Sequence, residues 1–115
     1  MSNHMVTQER YLRDPLAIRL GGLAANLARI ESFSNHPDHG EAVEQLLNES
    51  KYFIEWTALD TSPNLQAELI ELQCQLAQWQ YNWKDIWPDS SRRANVAGQA
   101  GAWSKRILER AGLLG

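Results

Sequence analysis

Residues 63–87 read PNLQAELIELQCQLAQWQYNWKDIW. Within them Leu65, Leu69, Leu72, Leu76, Trp79, Trp83 and Ile86 recur at alternating spacings of four and three. An α-helix turns by about 100° per residue, so this alternation holds all seven side chains on one face. Ser62-Pro63 supplies a start, with a hydroxyl to accept a first-turn amide and a proline where no amide is needed. Trp87-Pro88 supplies a stop, because a residue before proline is pushed out of the α region. The stretch therefore predicts one amphipathic helix over 63–87. Trp79, Trp83 and Trp87 span only about 80° of its arc and continue the leucine seam, so they read as core, with Trp87 partly exposed at the bundle end. Each buried indole N–H then needs an acceptor.

The same punctuation extends in both directions. Asp14-Pro15 reads as a cap and first-turn proline for a helix over 14–34 that carries Leu16, Leu20, Leu23, Leu27 and Ile30. After the loop SNHPDHG, a second helix over 39–59 carries Val43, Leu46, Leu47, Phe53, Ile54 and Thr57. Asp89 or Ser90 caps a fourth over 90–111, with Val96, Ala100, Trp103 and Ile107 on its seam. Gly112 sits where a left-handed residue would end it, with Leu113 folding back. Strand-like alternation is absent and the three connections are short, so sequential helices are antiparallel neighbours. The fold class is all-α, an up-and-down four-helix bundle in a single domain over 1–115, preceded by an arm at 1–13.

Two stripes of small residues, Ala17/Gly21/Ala24/Ala28 and Ala97/Gly101/Ser104 (with Leu108 at its end), flank the seams of the first and last helices. Facing each other they would permit a close helix approach, and leucine at Gly21 or Gly101 would then overpack it.

With 115 residues, net charge −3 and a pI near 5.5, the chain lacks the basic field that recruits nucleic acid or an anionic membrane. No segment has the roughly 18 apolar residues of a membrane span. The only cysteine, Cys74, has no intramolecular partner, which suits a reducing cytoplasm. It lies mid-helix without a basic neighbour and reads as an inert apolar-face thiol.

Function is best sought on a second apolar face. Ile70, Cys74, Ala77 and Tyr81 lie roughly opposite the seam of the third helix, and Tyr52, Trp56 and Leu59 lie away from the seam of the second. These seven are the candidate partner-binding residues, homodimerisation being the commonest use of such a face. The alternative is that residues 5–13 (Met5, Val6, Tyr11, Leu12) fold across it.

Other constellations are weaker. His36-Pro-Asp-His39 gathers two imidazoles near Glu41 and Glu44 as candidate metal ligands, but Pro37 interrupts the register and loop chemistry explains the motif equally. Glu-x-x-His pairs of a di-iron bundle do not occur. Arg29 and His36 have the Arg-x(4–6)-His spacing of the HEPN helical-bundle ribonucleases, whose motif belongs to later helices, so an RNase-like or toxin–antitoxin role is an alternative. An apolar small-molecule site among the aromatic side chains is another. Residues 39–60 carry Glu41, Glu44, Glu49, Glu55 and Asp60 against Lys51, whereas 88–115 carry Arg92, Arg93, Lys105, Arg106 and Arg110 against Asp89 and Glu109. Solvated faces or acid-on-basic protein contacts would use this asymmetry.

In its opening YLRDPLAIRLGGLAANLARIE and its ending AGAWSKRILERAGLLG the chain resembles small, all-helical hypothetical proteins of cyanobacteria. That resemblance implies a cytoplasmic bacterial setting and no catalytic residue. The expectation is a non-catalytic, cofactor-free homodimer or protein-interaction module.

Overall fold

Residues 6–113 are described by a computed structural model. They form helices α1 (Gln8–Leu12), α2 (Leu16–Phe33), α3 (Gly40–Thr57), α4 (Pro63–Tyr81), α5 (Trp83–Ile86) and α6 (Ser90–Arg110), with 3-10 turns at Pro37–His39 and Ala58–Asp60. The fold is all-α, with no strand among the described residues.

Local chemistry accounts for most of the boundaries. Ser62 accepts from the Leu65 amide with Pro63 in the first turn, and the Asp89 carboxylate accepts from the amides of Ser91 and Arg92. At the far end of α6, Gly112 takes φ +75°. The amides of Leu113 and Gly112 then donate to the carbonyls of Leu108 and Glu109, the paired bonds of a Schellman turn.

Two expectations are corrected. Asp14 does not cap the first long helix: Pro15 occupies the cap position and no side chain bonds the first turn. The Asp14 carbonyl instead accepts from Arg19 Nε at 3.1 Å. The helix expected over 63–87 is divided at Asn82, whose φ −98° and ψ 15° leave the α region. Asn82 turns its Nδ2 back onto the Gln78 carbonyl, and its own carbonyl then receives the amides of Asp85 and Ile86 to start α5. Local side-chain competition of this kind is what disfavours asparagine inside helices. The indole ladder survives the break: Trp79 and Trp83 are buried, as is Ile86. Trp87 is half-buried, and its Nε1 donates to the Pro37 carbonyl at 2.7 Å.

The core runs through all four long helices, with Leu23, Leu27, Ile30, Leu47, Ile54, Leu69, Leu72, Leu76 and Ile107 fully enclosed. Helix α2 lies between α3 and α6. Ser104 Oγ on α6 donates to the Ala24 carbonyl on α2 at 2.8 Å, and Ala24, Ala97, Gly101 and Ser104 are all buried in this seam. A hydroxyl reaching a mid-helix carbonyl requires the close approach that small residues allow. Ala28 is exposed and outside it. The sides of the two glycines differ from the expected helix backbone: Gly21 faces the end of Leu113, and Gly101 faces the Glu31 carboxylate.

On the other side of α2, Asn26 Nδ2 donates to Glu49 on α3 at 3.0 Å, and Arg19 pairs with Asp60 at 3.0 Å beyond the end of α3. Between α4 and α6, Glu68 receives Arg110 at 2.9 Å and Arg106 at 3.7 Å. Between α3 and α4, Lys51 Nζ donates to Gln80 Oε1 at 2.8 Å.

The arm docks on α2 and α3 through Tyr11, whose ring stacks on Phe53 at 4.1 Å and tilts against Trp56 at 5.6 Å. Its hydroxyl donates to the Arg19 carbonyl at 2.8 Å and accepts from Thr57 Oγ1 at 3.2 Å. Burial pushes the phenol up to about 12, against the lowering effects of the Thr57 bond and the Arg19 charge. The Val6 backbone amide donates a hydrogen bond to the Glu49 carboxylate at 3.1 Å, Leu12 stays exposed, and Met5 lies outside the described residues.

Candidate interaction surface

Helix α4 carries two apolar stripes. Leu65, Leu69, Leu72, Leu76 and Trp79 are buried, which meets the helix's contribution to the core. Ile70, Cys74, Ala77 and Tyr81 lie about 150° around the axis from that stripe. Ile70 is 55% exposed and Tyr81 is 90% exposed; Cys74 is exposed and Ala77 half-buried. On the neighbouring elements Leu59 is 85% exposed in its 3-10 turn and Tyr52 is 41% exposed on α3. Leaving this much apolar surface in water forgoes about 25 cal/mol for each Å² that a partner would cover.

The seven candidates are not one continuous patch. Trp56 is half-buried, packed on the core and roofed by Tyr11, so the arm withdraws it from the surface. Tyr52 stacks on the outer side of that indole at 5.6 Å. Between Tyr52 and the α4 stripe runs an open cleft of about 330 Å³ lined by Asn48, Lys51, Tyr52, Glu55 and Gln73. Gln73 Nε2 closes its floor by donating to the Lys51 carbonyl at 3.3 Å. The arm therefore covers the α2 side of α3 and leaves Ile70, Cys74 and Tyr81 uncovered. Lys51, Glu55 and Gln73 belong to this surface although helical periodicity does not single them out. Their signal is a single lysine within an acidic segment.

The remaining constellations separate in space. Arg29 Nη1 donates to Asn26 Oδ1 at 3.2 Å and lines an open groove of about 390 Å³ under the arm with Val6, Arg10, Ile18 and Glu49. His36 lies beyond the end of α2, edge-on to His39 at 5.4 Å. His39 in turn packs edge-on against Phe33 at 5.0 Å. The arginine and the histidine thus serve different neighbourhoods. Among the described residues no group of three or more His, Cys, Asp or Glu side chains is placed to hold a metal ion. No helix among them is long and apolar enough to cross a membrane.

The arginines of α6 are partly neutralised in place. Arg106 and Arg110 share Glu68, and Arg92 lies 3.8 Å from Asp89. Arg106 also lies over the Trp103 ring at 4.9 Å. Arg93 lies over Trp87 and donates to its carbonyl at 2.6 Å.

Comparison with protein-family models, with curated proteins and with solved structures finds no match for this chain.

Proposed function

We propose that the protein is a non-catalytic, up-and-down four-helix bundle that works by binding, and that it forms a homodimer through the outer face of α3 and α4. The order of contacts supports the bundle. Residues 19 and 26 of α2 meet residues 60 and 49, residue 24 meets residue 104, and residue 68 meets residues 106 and 110. The first two contacts run in opposite directions along the chain, as antiparallel neighbours do.

The observation that carries the dimer is the second stripe of α4. Ile70, Cys74 and Tyr81 stay exposed on a helix whose core stripe is already complete. A soluble helix otherwise places polar residues there. The unpaired cysteine on that face fits a reducing cytoplasm.

Sedimentation equilibrium at tens of micromolar tests the reading. Wild type is expected to be a dimer. Ile70→Ser with Tyr81→Ala is expected to be a monomer of unchanged helicity, both side chains being outside the core. A monomeric wild type overturns it.

A further inference from the structure

We infer that the cleft between α4, α5 and the first turns of α6 is a binding site for a small monocarboxylate with a flat apolar body. It shares no residue with the α3/α4 face and does not depend on the proposed dimer.

The cleft is open and has a volume of about 340 Å³. Trp79, Ile86 and Val96 form its apolar wall, and Asn82, Ser91, Arg92 and Asn95 line its polar side. The three apolar residues are buried core members, so the wall is held by the bundle itself. The volume lies at the low end of the roughly 300–1,000 Å³ of ligand pockets, which suits a body of about ten non-hydrogen atoms.

Trp79 is the residue that points to a ligand. It is only 5% exposed, and an indole N–H so placed wants an acceptor. Trp87, further along the same ladder, meets that need at the Pro37 carbonyl. The Trp79 nitrogen has no hydrogen-bond partner among the described residues, yet it is not one of the polar atoms sealed from solvent. Since Trp79 lines the cleft, an oxygen bound there can complete its hydrogen bonding, and a nearly enclosed donor gains most from an acceptor.

The polar side supplies further donors. Asn95 accepts from Gln99 Nε2 through its Oδ1 at 2.6 Å, which leaves the Nδ2 hydrogens for another acceptor. Asp89 takes the Ser91 backbone amide and not its hydroxyl. Arg92 Nε lies 3.8 Å from Asp89, and its two Nη groups are left to a ligand. Asn82 commits its Nδ2 to the Gln78 carbonyl. Asp89 already caps the first-turn amides of α6, so the site rests on side chains and not on the helix end.

Among the lining residues there is one cation and no anion. Several donors and a single guanidinium beside an apolar wall match a carboxylate carried on a small flat group, because arginine binds the two carboxylate oxygens in its planar fork. A phosphate would leave the apolar wall unused and bring more charge than one arginine balances.

Phenylacetate is the probe. A ligand of this size binds with a dissociation constant on the order of 0.1–1 mM, so titration to about 10 mM into isotope-labelled full-length protein reaches saturation. Heteronuclear NMR should show the Trp79 indole and Asn95 carboxamide signals shifting together and saturably. Phenylacetamide, which lacks the charge, and acetate, which lacks the ring, should each bind at least about tenfold more weakly. Arg92→Gln should weaken phenylacetate about tenfold with unchanged helicity, because that side chain is 58% exposed. Asn95→Ala, a second exposed position, should weaken it about threefold. Shifts that do not saturate, or that saturate away from Trp79 and Asn95, overturn the site. So does phenylacetamide binding as tightly as phenylacetate, or Arg92→Gln binding as tightly as wild type. A monomer that binds phenylacetate at Trp79 with the charge preference sustains the site while removing the dimer.

Discussion

Trp87 occupies the space that a side chain on Gly40 would need: a β-carbon built at Gly40 lies 2.8 Å from the indole nitrogen. That ring is tied to the Pro37 carbonyl, stacked on Trp83 at 4.9 Å and covered by Arg93. It has little freedom to yield. Gly40→Ala is therefore expected to destabilise the fold by about 1–2 kcal/mol through overpacking, despite the better helix propensity of alanine. Chemical denaturation checks this. Gly101→Ala is the contrast, because the nearest atoms to its β-carbon are those of the Glu31 carboxylate, the far end of a flexible side chain on an exposed residue. That variant should be neutral or gain up to about 1 kcal/mol from propensity.

Ser50 is fully buried on α3, and its hydroxyl has no hydrogen-bond partner among the described residues. Ser50→Ala removes an unsatisfied polar atom with almost no change of volume. An increase in stability of about 1 kcal/mol is expected, read as a higher melting temperature. A lower one would show that the hydroxyl has a partner.

Ser104 makes the reverse case. Its hydroxyl is buried and bonded to the Ala24 carbonyl. Ser104→Ala should lower stability by about 1 kcal/mol, so the two serine-to-alanine variants should move the denaturation midpoint in opposite directions.

Tyr11 couples the arm to pH. Burial raises its phenol from 10.0 to about 12, the Asp14 and Glu49 charges adding to that rise. Between those values the folded protein holds a proton that the unfolded chain has released. The resulting stabilisation is complete below pH 10 and is lost as pH rises from about 10 to about 12, up to about 3 kcal/mol in all. Tyr11→Phe should flatten this alkaline limb in urea titrations at pH 9–11, and Tyr11→Ala should cost about 3–4 kcal/mol at neutral pH as a cavity forms.

Much of the fold was legible because helix formation is local. The spacing of Leu65, Leu69, Leu72, Leu76, Trp79 and Trp83 assigns a buried face wherever the chain is helical, and the serine and aspartate caps at residues 62 and 89 act within three residues. The break at Asn82 escaped the pattern because hydrophobic periodicity continues across it, and apolar spacing carries no trace of the side-chain bond from Asn82 Nδ2 to the Gln78 carbonyl. The candidate surface was legible only in part. Ile70, Cys74 and Tyr81 follow from the same wheel, and Leu59 stands out in its turn. Trp56 did not stay with them, because burial by Tyr11 depends on a segment 45 residues away in sequence.

By itself, then, the sequence determined an all-helical chain, the approximate extent of its long helices, and which flank of α4 is left apolar and outward. All of these depend on interactions within a few turns. Tertiary structure alone decided that the arm seals Trp56, that Lys51 and Glu55 flank a cleft beside Tyr52, and that Arg29 and His36 go to separate neighbourhoods. Those outcomes depend on which helices become neighbours and on the side chains that meet there, and a residue's position on its own helix carries no record of either.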